Sequence, residues 1–119
     1  MKKILIIEDE PDVARSIKAF LEAAGYEVAF TFDPMDGVKK LKSYDMLLLD
    51  LIMPKVSGRM VLKELKSKGI AVPVIVLSAV SLPATVGAEL MSQYHGLKFL
   101  PKTQMYRDLI PLIKEILGE

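Results

Sequence analysis

Five short apolar runs, separated by longer amphipathic segments, constrain the fold of this chain most. The runs fall within residues 3–8, 26–31, 45–50, 72–78 and 97–101, and the amphipathic segments within 11–25, 34–43, 57–69, 82–94 and 106–119. Nearly continuous apolar runs are typical of strands that are buried on both faces. Apolar side chains at helical spacing predict helices between them. This alternation predicts an α/β fold, in which helices cover both faces of a doubly wound, five-stranded parallel sheet.

Two residues interrupt the helical patterns. Gly37 lies inside the second amphipathic segment, where glycine costs ~1 kcal/mol relative to alanine. Pro111 lies inside the last one, where a proline removes a hydrogen bond and clashes with the preceding turn. Proline is tolerated in the first turn of a helix, so we expect the last helix to begin near Asp108.

The length and composition indicate one globular domain over residues 1–119. The chain is 51% hydrophobic and 26% charged, which is sufficient for a packed core. The net charge of +1 gives no global case for binding nucleic acid or a membrane surface, although local patches remain possible. There are no cysteines, and no apolar run approaches the roughly 18–20 residues of a membrane span. We therefore expect a cytoplasmic protein without nucleic-acid or membrane partners.

Polar residues follow four of the predicted strands. They are Glu8, Asp9 and Glu10 after the first strand, Asp50 at the end of the third, Ser78 at the end of the fourth and Lys102 after the fifth. Ligands of such folds bind at the carboxyl ends of the strands. Carboxylates crowded there raise one pKa or attract a cation, and a site of oxygen ligands suits Mg²⁺. A lysine and a hydroxyl suit the oxygens of a phosphoryl group.

These motifs resemble the receiver domain of two-component response regulators, in particular receivers of the chemotaxis-regulator type. The matching pieces are "IIEDE" after the first strand, "LLLDLIMPKVSG" around Asp50, "VIVLSA" with its hydroxyl and "FLPKT" with its lysine. Their order and spacing cover essentially the whole chain. The resemblance implies a flavodoxin-like sheet with the strand order 2-1-3-4-5.

The resemblance also implies a role for each matching residue. Asp50 would accept a phosphoryl group from a histidine kinase or phosphotransfer protein. Asp9, Asp50 and the backbone carbonyl of Ile52 would hold Mg²⁺, and Glu8 would act through a water molecule. Lys102 and Ser78 would contact the phosphoryl group. Ser78 and Phe99 would form the switch that reshapes the output face, made of the fourth helix, fifth strand and fifth helix, for a downstream protein. The only enzymatic activity implied is assistance to the protein's own phosphotransfer and a slow loss of the phosphoryl group.

The chain departs from the family pattern at three positions. Thr103 follows Lys102 where receivers usually have proline, so it is open whether that peptide bond is cis. Ser78 stands for the commoner threonine, and Phe99 for the frequent tyrosine. The departures around Lys102 and at Phe99 keep open a second hypothesis, a receiver-like interaction module that does not switch by phosphate.

Simpler interpretations of single residues also stay open. Asp50 alone could be a strand-end acid facing water, and Lys102 a surface lysine. Glu8 and Asp9 could be solvated acids at a helix N-terminus. Ser78 could be an ordinary turn residue and Phe99 only a core residue. A third hypothesis, a flavin or dinucleotide enzyme, is disfavoured because the acidic stretch "EDEPD" after the first strand would repel phosphate.

Overall fold

The computed structural model describes residues 1–50, 58–78, 92, 94 and 96–119. Its strands are β1 (Lys3–Ile7), β2 (Glu27–Thr31), β3 (Met46–Asp50), β4 (Val74–Ser78) and β5 (Leu97–Pro101). All neighbouring pairs are parallel, and the sheet order is β2-β1-β3-β4-β5. This confirms the predicted five-stranded parallel sheet and its order.

The sheet divides the hydrophobic core into two layers. Successive side chains of a strand point to opposite faces, so Ile4 and Ile6 pack in one layer and Leu5 and Ile7 in the other. All four are almost completely buried. Burial on both faces is the physical reason why these strands appear in the sequence as continuous apolar runs.

The helices cover both faces of the sheet, as predicted. They are α1 (Pro11–Ala23), α2 (Pro34–Lys40), α3 (Gly58–Ser67) and the C-terminal helix (Met105–Leu117). Buried residues of α1 and the C-terminal helix, such as Ile17 and Leu109, share the layer of Ile4 and Ile6. Buried residues of α2 and α3, such as Val38 and Leu62, share the other layer.

The predicted fourth helix, residues 82–94, lies almost entirely outside the described residues. Of that segment the structure describes Ser92, which is helical, and Tyr94, which is buried in a bend. Within the described part of the chain, no helix combines the length and the apolar character that crossing a membrane would require.

The predicted start of the last helix was wrong. A 3-10 turn at Lys102–Gln104 leads into a helix that begins at Met105, three residues before Asp108, and contains Pro111. Pro111 has no N–H for the carbonyl of Arg107, one turn earlier. Because Pro111 lies on the exposed side of the helix, water can hydrate that carbonyl, while Leu109 and Ile113 remain fully buried.

Helix α2 packs unusually close to the sheet at Gly37. Asp33 caps the helix, because its carboxylate accepts hydrogen bonds from the N–H groups of Met35 at 3.0 Å and Asp36 at 3.4 Å. A Cβ atom at Gly37 would lie 2.5 Å from Cδ1 and 2.8 Å from Cγ1 of Ile7. Glycine therefore weakens the helix locally but permits the close contact between α2 and β1.

We predict that Gly37→Ala lowers the free energy of unfolding. Alanine gains ~1 kcal/mol of helix propensity, but overpacking against a fully buried side chain costs about 1–3 kcal/mol. Chemical denaturation measures the difference. Ile7→Val removes Cδ1, so the double variant should lose less stability than the sum of the two single variants. Additive losses, or a Gly37→Ala protein more stable than wild type, would contradict this account of the packing.

Candidate functional site

The register of the sheet brings the predicted site residues to one edge. Ile7 is paired with Leu49, so Glu8, the next residue, lies beside Asp50 at the end of β3. Asp50 is paired with Leu77 of β4, so Ser78 also reaches this edge. Ser78 is in turn paired with Pro101, which precedes Lys102. Four strands therefore end at one place, as the sequence predicted.

Two carboxylates are buried at this edge beside one lysine. Glu8 is 1% exposed and Asp50 is 6% exposed, although both are charged residue types. Nζ of Lys102 lies 3.4 Å from a carboxylate oxygen of Glu8 and 3.6 Å from one of Asp50. The apolar strands hold both acids out of water, and the shared ammonium group offsets part of the desolvation cost.

The pKa of Glu8 is strongly perturbed by this environment. Burial of its side chain is the largest cause, and the negative charge of Asp50 is the second; together they raise the pKa to about 7. A hydrogen bond to Asp50 acts in the same direction, because only a protonated Glu8 can donate it. Lys102 opposes the rise without cancelling it. Near neutral pH the Glu8 carboxyl, with a pKa of about 7, is therefore only partly ionised.

The acids after β1 form a cluster that a hard cation could occupy. Carboxylate oxygens of Glu8, Asp9 and Glu10 lie within 4.8 Å of one another. Glu8 is buried, Asp9 is half-buried and Glu10 is exposed, so the cluster opens from the interior towards solvent. Glu8 also accepts a hydrogen bond of 3.4 Å from the N–H of Glu10. Oxygen ligands that keep access to water suit Mg²⁺.

The structure adds to the predicted ligand set without testing it. Glu10 was noted at the strand end but given no role, and it joins the acidic cluster. Asp50 is not a member of the cluster and is connected to it through Glu8 and Lys102. Ile52, the predicted carbonyl ligand, lies outside the described residues.

The two predicted switch residues occupy neighbouring strands. Ser78 is the last residue of β4, and the structure describes its backbone but not its side chain. Phe99 is half-buried in β5 and packs against the layer beneath α2 and α3. A core role and a switch role are both compatible with that position.

The loop after β5 resolves one question that the sequence left open. The peptide bond between Lys102 and Thr103 is trans. Lys102 nevertheless reaches both carboxylates, because it begins the 3-10 turn directly after β5. The missing proline therefore does not prevent the lysine from contacting the site.

Tyr94 is a buried polar residue to which the sequence analysis assigned no role. It is 5% exposed, and its hydroxyl lies 2.7 Å from the carbonyl of Val72 and 3.1 Å from that of Ile70. The bond ties the turn before β5 to the loop before β4. No local sequence pattern predicts such a contact, because the residues that accept these hydrogen bonds are more than 20 residues away in sequence.

The match to a family model decides the classification. The model described as the response regulator receiver domain matches residues 4–114. The chain belongs to the response regulator receiver domain family. Curated relatives agree. The transcriptional regulatory protein DltR of Streptococcus agalactiae is 41% identical over 81 residues, which are 66% of this chain and 36% of that protein. The CpxR homolog of Haemophilus influenzae is 34% identical over 98% of this chain and 51% of that protein.

Solved receiver domains also match this receiver in structure. The receiver domain of the Francisella response regulator 1452 gives a TM-score of 0.86 at 26% identity, covering 99% of this chain and 98% of that one. TrrA of Thermotoga maritima, solved with Mg²⁺ and BeF, gives 0.82 at 28% identity, covering 98% and 99%. The receiver spans about a third to a half of the length of the curated relatives described above.

We predict that Glu8→Gln stabilises the receiver increasingly as pH rises from 5 to 8 in the presence of EDTA. The folded state binds the Glu8 proton more tightly than the unfolded state does, because folding raises this pKa from 4.5 to about 7. The resulting stability is complete below pH 4.5 and is lost as pH rises through about 7. Glutamine stays neutral and avoids that loss.

Chemical denaturation at several pH values measures the effect. Glu115→Gln is the matched control, because Glu115 is exposed on the C-terminal helix. It should leave the pH dependence of wild type unchanged. A constant difference between wild type and Glu8→Gln from pH 5 to 8 would refute the perturbed pKa of Glu8.

Proposed function

We propose that this receiver is a phosphorylation-dependent signalling switch in which Asp50 accepts a phosphoryl group. The supporting observation is the carboxylate of Asp50, which is buried at the end of the central strand. It contacts Lys102, and Lys102 also contacts a second buried acid, Glu8. An acid that merely faced water would not be 6% exposed beside a lysine. The donor would be a histidine kinase or phosphotransfer protein, as the family membership suggests.

The chemistry requires little from the protein beyond position and charge. A carboxylate oxygen of Asp50 attacks the phosphorus of a phosphohistidine. The P–N bond breaks, its electron pair stays with the imidazole, and the imidazole takes up a proton from solvent. The product is an acyl phosphate on Asp50. Lys102 supplies a fixed positive charge for the phosphoryl oxygens, which is the main form of catalysis in phosphoryl transfer.

Mg²⁺ fits the donors that are present, because they are carboxylate oxygens grouped at one edge of the sheet. Asp9, Asp50 and the carbonyl of Ile52 would hold it, and Glu8 would contribute through water, with Glu10 as an additional candidate. When bound, the cation would neutralise oxygens of the incoming phosphoryl group. TrrA, a structural relative, was solved with Mg²⁺ and BeF.

Phosphorylation would be transmitted through Ser78 and Phe99. The Ser78 hydroxyl would donate to a phosphoryl oxygen, and Phe99 would change its packing at the output face. That face would bind a downstream protein. On the donor side, the structural relative TrrA was also solved in complex with the histidine kinase ThkA.

We further propose that residues 1–119 act as one receiver unit. The apolar side chains of Ile52 and Val80, both outside the described residues, would slow hydrolysis of the acyl phosphate.

The alternative function, an interaction module without a phosphate switch, rests on the departures at Thr103 and Phe99. The contact between Lys102 and Asp50 favours phosphorylation, because an interaction module has no need of a desolvated acid beside a lysine. Direct phosphorylation distinguishes the two functions.

We predict that acetyl phosphate with Mg²⁺ adds one phosphoryl group to the wild-type protein and none to Asp50→Asn. Lys102→Met should slow the addition about 10²-fold or more, which is the usual scale for loss of one charge-stabilising group. Intact mass measured over time gives both results. Asp12→Asn is the matched control, because Asp12 is an exposed aspartate on α1, and it should behave as wild type. Equal labelling of Asp50→Asn and wild type would exclude Asp50 as the acceptor.

A further inference from the structure

The net charge of +1 conceals an uneven distribution of ion pairs over the surface. On the face formed by α1 and the C-terminal helix, most cations have an acid beside them. Three ion pairs lie there: Arg15–Asp12 at 3.5 Å, Lys18–Glu22 at 3.7 Å and Arg107–Asp108 at 3.0 Å. This face therefore carries little uncompensated positive charge.

The opposite face carries six exposed lysines. They lie along α2, the 3-10 turn that follows it, and α3 with its last turn, and we call them the lysine face: Lys39, Lys40, Lys42, Lys63, Lys66 and Lys68. Among the described residues, only Lys40 of this set forms an ion pair, at 2.9 Å from Asp36. Glu64 is the other described acid on these two helices, and it is half-buried.

These lysines lie on the same side of the molecule. The buried residues of α2 and α3 pack in the same core layer, so their outer sides point to the same side of the molecule. Both helices start after the carboxyl edge of the sheet and return the chain to the amino edge, where β3 and β4 begin. Lysines in their second halves thus lie far from Asp50. Positive charge near the C-terminus of a helix interacts favourably with the helix dipole. That interaction does not account for as many as six lysines.

We propose that the lysine face binds the phosphate backbone of duplex nucleic acid without reading its sequence. Lysine ammonium groups are point charges that suit phosphates, and contacts to phosphate carry no sequence information. The one large apolar side chain that is exposed on α3, Met60, offers too little apolar area to insert into a membrane. The expectation of no nucleic-acid partner used only the net charge, which averages the two faces.

This binding goes beyond the proposed switch and does not depend on it. The lysine face and Asp50 lie towards opposite edges of the sheet. The interaction should therefore be the same for wild type and Asp50→Asn, with or without acetyl phosphate. A failure of Asp50 to accept phosphate would leave the inference untouched.

The test is fluorescence anisotropy of a labelled duplex of mixed sequence, titrated with the full chain at several salt concentrations. About four net charges predict a log–log salt slope near −3.6, so affinity should fall about 100-fold between 50 and 200 mM salt. Reversing three charges, with Lys39→Glu, Lys63→Glu and Lys66→Glu combined, lowers the charge of the face by six, from about four positive to about two negative, so binding should weaken at least tenfold and lose its steep salt dependence. A second triple variant, with glutamine at these positions, should weaken it in the same direction.

The matched control reverses the same number of charges on the other face, with Lys18→Glu, Arg107→Glu and Lys114→Glu combined. It has the same net charge as the first variant and should bind as wild type. Equal weakening by both triple variants would show that net charge alone governs binding and would overturn the proposal. So would binding to anionic phosphatidylserine vesicles or to polyglutamate that exceeds binding to DNA at the same salt. Circular dichroism confirms that each variant is folded.

Discussion

The ammonium group of Lys102 between the carboxylates of Glu8 and Asp50 is the interaction on which the site depends. The three residues come from the ends of three different strands, so they meet only when the whole sheet is formed. One positive charge serves two buried acids, and burial together with the negative charge of Asp50 raises the pKa of Glu8. Two buried acids that share one lysine suit an additional cation, and the same lysine can then contact the oxygens of a phosphoryl group.

The remainder of the fold makes this arrangement possible. Apolar strands, buried on both faces, bring the acids to an edge that water reaches poorly. The lack of a side chain at Gly37 lets α2 pack close to Ile7, in the strand that leads directly into Glu8. At the site itself stability is given up locally, by desolvated charge at a strand end. Such departures from the most stable choice are typical of functional sites.

Much of this could be predicted from the sequence, because the apolar periodicity and the strand-end rule are local signals. The periodicity predicted the five-stranded parallel sheet, the resemblance to receivers implied its strand order, and the strand-end rule placed Glu8, Asp50 and Lys102 at one edge. The start of the last helix was mispredicted, because the sequence does not show that Pro111 lies on the exposed side of the helix, where water can hydrate the unpaired carbonyl. Tyr94 was missed because its hydrogen bonds are non-local. The pKa of Glu8 required the burial and the contacts that only the folded chain supplies.

The most direct test of the central claim is borohydride reduction of the protein after treatment with acetyl phosphate and Mg²⁺, followed by peptide mass mapping. Borohydride reduces an aspartyl phosphate to homoserine and so marks the residue that carried the phosphoryl group. The account predicts homoserine at position 50 and aspartate at every other aspartate position. Homoserine at Asp9 with an unchanged Asp50, or phosphate found on His95, would contradict it.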